Sequence, residues 1–199
     1  PVENINAESN QYDFMTLNGT VNWAHSFKDN SNLRTIVVAS DYSPKIIFPE
    51  RDSDNEVEYS SKVNYLSLIS EFSKKKSSAM EYYLGGQVNR YNIGPGALDP
   101  GSAENVLPIS LENEISYEFA GYGNVNWTPV EALSVSAGLR FNHFILVGPY
   151  TQNTFDDFSG ELLGTTQFEK GAGVKTYNGL EPRLGLNLKL DETTSLKAS

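Results

Sequence analysis

Five charged residues, Glu118, Arg140, Glu181, Arg183 and Lys189, fall inside segments that otherwise alternate apolar and polar side chains. Charges placed this way on neighbouring strands pair with each other or with whatever fills the space they face, because a charge withdrawn from water needs a partner. Two histidines, His25 and His143, offer acid–base or metal chemistry in principle. Neither has the His–x–Ser or His–Glu spacing of a nucleophilic or ligating set, and both fall on the apolar side of their segments. They read as rings packed at an interface rather than as catalysts. With no cysteine in the chain, a thiol nucleophile, a disulfide scaffold, thiolate zinc and iron–sulfur sites are all excluded. The acidic run Asp52, Asp54, Glu56 and Glu58 lacks the Asp-x-Asp-x-Asp-Gly spacing of a calcium loop. No glycine-rich phosphate loop follows a strand. The expectation is a protein without enzymatic activity, metal or cofactor.

A second group of residues suits recognition. Tyr150, Phe155, Phe158 and Phe168 lie among amides and acids in residues 149–173, a mixture that stacks on rings or sugar faces. The 15 Lys and Arg against 25 Asp and Glu give a formal charge of −10, so no basic surface is available for nucleic acid. The windows 50–59, 94–114 and 149–175 together carry all of that excess. An acidic surface of this kind confers solubility and divalent-ion bridging, and attracts cationic ligands.

The elements that position these residues follow a simple rhythm. Strand-like runs cover 12–27, 33–48, 60–73, 79–93, 113–128, 133–148 and 174–190, with a further start at 195. Their connections are alternately short, such as Pro129–Ala132 and Asp191–Thr194, and long, at 49–59, 94–112 and 149–173. Gly94-Pro95-Gly96, Asp99-Pro100-Gly101 and Gly171-Ala172-Gly173 break the long connections, which read as mobile loops. Within the runs the period is two. Leu180, Pro182, Leu184, Leu186 and Leu188 oppose Glu181, Arg183, Gly185, Asn187 and Lys189, and Leu133, Val135, Ala137, Leu139 and Phe141 oppose Ser134, Ser136, Gly138 and Arg140. Phe144 and Leu146 break that pattern, and the facing of 33–48 and 79–93 is weakly determined.

A soluble sandwich buries such an apolar face in a core, whereas a membrane barrel turns it to lipid. The runs are longer than the roughly 5–6 residues usual in soluble strands and match the about 9–11 tilted residues that cross a bilayer. Trp23, Phe27, Phe72 and Trp127 cluster beside the short turns, where an inner aromatic girdle belongs. The pattern therefore predicts an all-β fold: an antiparallel transmembrane β-barrel segment of about 7–8 strands, with short periplasmic turns and long outer loops. No run of 18 apolar residues supports a helical span. A passive porin or adhesin barrel and a soluble sandwich binding module remain as alternatives. The chain stops at Ser199 within a strand-like run, as expected of one stretch of a longer protein.

The stretch Trp127-Thr128-Pro129 through Leu133-Ser134-Val135-Ser136-Ala137-Gly138-Leu139-Arg140-Phe141 resembles a hairpin of TonB-dependent outer-membrane receptors. Leu180-Glu181-Pro182-Arg183-Leu184-Gly185-Leu186, followed by 188–199, is similar to a second hairpin of that family. The Asn- and Tyr-rich strands with acidic loops give the resemblance a Bacteroidetes-like cast. It covers about a third of the chain and rests on the Gly-Leu-Arg and Glu-Pro-Arg triplets. It implies an active importer: a 22-strand barrel, a plug domain in the lumen, and TonB engaging the plug from the periplasm. It further implies outer-membrane lipid around the wall and leaves room for a surface lipoprotein partner. On this reading Glu118, Arg140, Glu181, Arg183 and Lys189 face the lumen and hold the plug, and Tyr150, Phe155, Phe158 and Phe168 contact ligand. A nutrient of the siderophore, glycan or peptide class is the implied cargo.

Overall fold

The computed structural model describes residues 10–49, 55–103 and 106–199. Eleven strands form in chain order: β1 Gln11–Ser26, β2 Ser31–Pro49, β3 Glu56–Ser77, β4 Met80–Asp99, β5 Ile109–Ser110, β6 Glu114–Val130, β7 Leu133–Val147, β8 Tyr150–Phe155, β9 Leu162–Phe168, β10 Gly173–Lys189 and β11 Ser195–Ala198. The main sheet is an open antiparallel meander in the order β1-β2-β3-β4-β6-β7-β10-β11. Every strand pairs with its predecessor in this path, so the strand rhythm of the sequence becomes the spatial order directly.

The register carries the apolar face across the whole sheet. Val21 stands opposite Val37, Val37 opposite Leu68, Leu68 opposite Val88, Val88 opposite Phe119, and Phe119 opposite His143. No second sheet covers this surface: the only other sheet among the described residues is the two-stranded β8–β9 hairpin. Leu84 is 65% exposed and Leu68 46%, and among the described residues the buried apolar side chains are confined to Ile47, Val57, Ala120 and Val147. A soluble sandwich needs a packed partner for such a face, and none is present among the described residues. From Ile115 to Trp127 the apolar side of β6 runs for about 40 Å, or about 28 Å of height at a 45° tilt, close to the hydrocarbon thickness of a bilayer.

The facing left open by the sequence is settled by pairing. Leu33, Thr35, Val37 and Ala39 join the apolar face, while Ile36 and Val38 turn to the polar one, which is why β2 alternates poorly. In β4 the polar face takes Tyr83, Gly85, Gln87, Asn89 and Tyr91.

Three expectations need correction. Among the described residues, sheet extends into the connections at 49–59 and 94–112, because β3 begins at Glu56 and β4 runs to Asp99 before β5 pairs back onto it. Lys45 bridges Glu58, and the Tyr59 hydroxyl donates to the Pro95 carbonyl at 3.0 Å, tying this extension together. The long connection 149–173 is likewise no open loop but the β8–β9 hairpin. Its turn is held by the Asp156 carboxylate, which accepts from the backbone amide and hydroxyl of Ser159 and then from the Phe158 amide, and is thereby lowered in pKa. Glu50, Arg51, Asp52, Asp54 and Glu104 lie outside the described residues.

The short turns use local chemistry. Asn30 adopts a left-handed φ of 61°, which asparagine tolerates, and closes the β1–β2 turn. Beside it the Asp29 carboxyl is held at about 2 by hydrogen bonds from Lys74 and then Ser31. Asp191 caps the β10–β11 turn in the same manner, accepting from the amides of Thr193 and Thr194.

Candidate functional site: a continuous polar network across the sheet

On the polar face one row of residues runs across five inter-strand steps: Arg34, Glu71, Gly85, Tyr122, Arg140 and Glu181. At about 4.8 Å per strand this row spans about 24 Å. Gly85 is the position that makes it continuous. A Cβ there would lie 2.3 Å from the Tyr122 ring, so only glycine lets the phenol lie flat across β4 and donate to Glu71 Oε2 at 3.0 Å. The Arg140 guanidinium sits 5.6 Å from the centre of the same ring, a cation–π arrangement.

Arg140 then links two further groups. Its Nε donates to Asn142 Oδ1 at 2.7 Å and its Nη2 to Gln87 Oε1 at 3.1 Å. Asn142 donates to Glu181 Oε1, and Glu181 Oε2 pairs with Arg183 at 3.0 Å. From the other side, Gln87 Nε2 donates to Asn89 Oδ1 at 3.1 Å, and Asn89 Nδ2 donates to Glu118 Oε2 at 3.0 Å. Ser67 and Tyr65 also donate to Asn89 Oδ1. Ser67 and Asn89 are 1% and 3% exposed, so these polar groups are satisfied in the only way burial allows. Glu118, Arg140, Glu181 and Arg183 therefore belong to one network.

Lys189 does not. It pairs with Ser195 at the β10–β11 turn, shares the polar face, and reaches none of the four. The network also recruits residues that sequence reasoning passed over: Glu71, Gln87, Asn89, Tyr122 and Asn142. Glu71 carried a usable signal, since it alternates with Phe72 in a clean strand. Gln87 and Asn89 carried none, because amides bear no charge and their strand's facing was open.

Beside the network is a recess of about 380 Å³ bounded by Tyr122, Asn124, Gly138, Arg140 and Arg183. Its floor is Gly138, where a Cβ would meet Asn124 Oδ1 at 2.7 Å. Two guanidinium groups at a recess of this size suit a polar or acidic group from a partner. They provide no nucleophile–base pair.

The remaining sequence candidates are dispersed. Trp23, Phe27, Phe72 and Trp127 all lie on the apolar face toward the short turns, with Phe72 opposite Leu33 and Trp127 opposite Met80. His25 lies between Trp23 and Phe27, with ring centroids at 5.9 and 4.5 Å. His143 Nδ1 is 2.7 Å from Asn178 Oδ1. Among the described residues no group of three metal-ligating side chains forms. Tyr150 and Phe168 pair at the base of the β8–β9 hairpin, Phe155 pairs with Leu162 near its tip, and Phe158 is fully exposed in the turn. The four do not form one cluster: base and tip are separated by about 17 Å of strand.

No curated protein matches the chain. Among solved structures it is similar to one titled "Copper transporter OprC", at 11% identity and a TM-score of 0.47, over 92% of this chain. The chain spans only 37% of that structure's length. The family profile described as "TonB dependent receptor-like, beta-barrel" matches residues 3–199, almost every position. The open two-faced meander is thus a portion of barrel wall, and the chain belongs to the TonB-dependent receptor β-barrel family.

Proposed function

We propose that this chain forms part of the wall of an outer-membrane receptor that takes up a nutrient by TonB-dependent active transport. The apolar face contacts lipid, with Trp23, Phe27, Phe72 and Trp127 as the inner girdle. The polar face lines the lumen, where Glu118, Arg140, Glu181 and Arg183 hold a plug domain and Lys189 lies at the periplasmic rim. TonB draws on that plug from the periplasm. Outside, Phe155 and Phe158 at the hairpin tip meet the incoming ligand or a surface lipoprotein, and Tyr150 and Phe168 brace the hairpin base.

The observation that carries this reading is the network from Glu118 through Gln87 and Arg140 to Arg183. A wall that merely faces bulk water gains little from fixed charge pairs, because exposed pairs contribute only about 0–1 kcal/mol. An ordered charged surface beside a recess offers a docking face that strain can release. The test is conductance of the complete receptor in planar bilayers. A plugged importer stays closed under modest voltage, whereas a steady open current without TonB would replace this reading with a passive porin.

A further inference from the structure

The outer end of the polar face differs in character from its middle. Phe144 and Leu146, which break the alternation of β7, point to this face, beside Glu118 and Ser116 of β6 and beside Tyr177 and Lys175 of β10. Tyr91 lies on the far side of Ser116. Because Ser116 is small, a hollow opens between larger neighbours. It forms a recess of about 380 Å³, walled by Tyr91, Ile93, Phe144, Leu146 and Tyr177, with Glu114 and Lys175 at its edges. That volume lies within the range of about 300–1,000 Å³ typical of ligand sites.

Neither edge charge has a partner of opposite sign among the described residues, and Lys175 is held toward the recess by Tyr177. Among the described residues the Glu114 side chain makes no hydrogen bond or ion pair, and Lys175 has no carboxylate partner, its Nζ resting 5.3 Å from the Tyr177 ring centre. Glu114 and Lys175 are two strand spacings apart and two residues out of row, which separates their backbones by about 12 Å. Leu146 stands two residues from the outer connection at Gly148, while Arg140 lies six residues, or about 20 Å, deeper. The apolar recess therefore sits at the outer mouth and the charged network below it.

We infer that this recess binds a short peptide with free termini and one large apolar or aromatic side chain. This rests on the receptor reading and names the cargo class for it. The side chain enters between Tyr91 and the Phe144–Leu146 wall, the ammonium meets Glu114, and the carboxylate meets Lys175. Three extended residues span about 10 Å, comparable with the about 12 Å between the backbones that carry the two charges. A neutral sugar would leave both edge charges unanswered, and a ligand of single-sign charge would leave one edge opposed.

The test is calorimetric titration of the complete receptor in detergent with the tripeptide Ala-Phe-Ala. Binding is expected, and it weakens at least tenfold for the N-acetylated, C-amidated form and for Ala-Gly-Ala. Glu114→Gln and Lys175→Gln each weaken Ala-Phe-Ala about tenfold without changing the affinity for the capped peptide. Absence of Ala-Phe-Ala binding overturns the inference, as does equal affinity for the capped or glycine peptide, or wild-type affinity in both variants. Titration in detergent needs no TonB, so this result is independent of the conductance measurement. Peptide binding to a freely conducting barrel keeps the recess and removes active uptake; a closed barrel without peptide binding does the reverse.

Discussion

Replacing Gly85 by Ala tests whether the luminal network depends on the passage of Tyr122 over β4. The new Cβ would lie 2.3 Å from the ring, well inside the about 3.5–4.0 Å of normal carbon contact, so the phenol must swing away. It then loses its hydrogen bond to Glu71 and its stacking under Arg140. A hydrogen bond to a charged group contributes about 1.5 kcal/mol at the low end that suits a half-exposed site, and the cation–π contact about 0.5 kcal/mol. Alanine returns about 0.5 kcal/mol through reduced freedom of the unfolded chain. The net loss is about 1.5 kcal/mol. It is measured as the shift of the urea unfolding transition of the complete receptor in micelles, for G85A, Tyr122→Ala and the double variant. If the clash is the cause, G85A destabilises the wild type but is neutral or mildly stabilising once Tyr122 is alanine, so the double-variant cycle shows strong coupling. Equal effects of G85A in both backgrounds would refute the argument, since backbone strain alone acts whether or not the ring is present.

Arg183→Ala removes the terminal ion pair of the network and one wall of the adjoining recess; hydrogen exchange of the plug in the complete receptor accelerates, and unchanged plug protection sinks the docking role. Leu68→Arg places a charge in the middle of the apolar face and costs about 2–4 kcal/mol when the barrel folds into vesicles, whereas a cost within about 0.5 kcal/mol means that the face meets water. The Asp29–Lys74 bridge is present above the ordinary carboxylate pKa and is lost as pH falls through the folded value of about 2, so amide exchange in the β1–β2 turn rises between about pH 4 and 2, and Asp29→Asn abolishes that dependence. Phe158→Ala leaves the unfolding transition unchanged, because the side chain is fully exposed, yet weakens capture of ligand or surface partner; intact capture removes Phe158 from the recognition surface.

Period-two alternation made β1, β6, β7 and β10 legible, since only a strand with two different surroundings imposes it, while β2 and β4 were legible as strands without their facing. The ends were less legible. β3 continues through Lys74–Ser77 and β4 through Gly94–Asp99, where charge, glycine and proline suggest turns but pairing with a neighbouring strand overrides local preference. β8 and β9 were hidden for a different reason: Thr151, Gln152, Asn153, Thr165 and Thr166 are polar on both sides, so no alternation marks them. Phe144 and Leu146 looked like pattern errors and are instead the wall of the outer recess. In the network, Glu118, Arg140, Glu181 and Arg183 were visible one by one, and Glu71 was not. Their connection was not, because it runs through Gln87 and Asn142, whose contacts depend on register across strands more than 30 residues apart in sequence.

The strictly sequential order of the sheet has a consequence for how such a wall is made. Each strand of the meander finds its template in the strand synthesised just before it, so no segment waits for a distant partner. Assembly can advance one hairpin at a time along a growing edge, with the newest strand always the exposed one. The same order lets lineages lengthen or shorten the wall by whole hairpins, because inserting or removing a pair leaves every other neighbour relation intact and restores the direction of the chain.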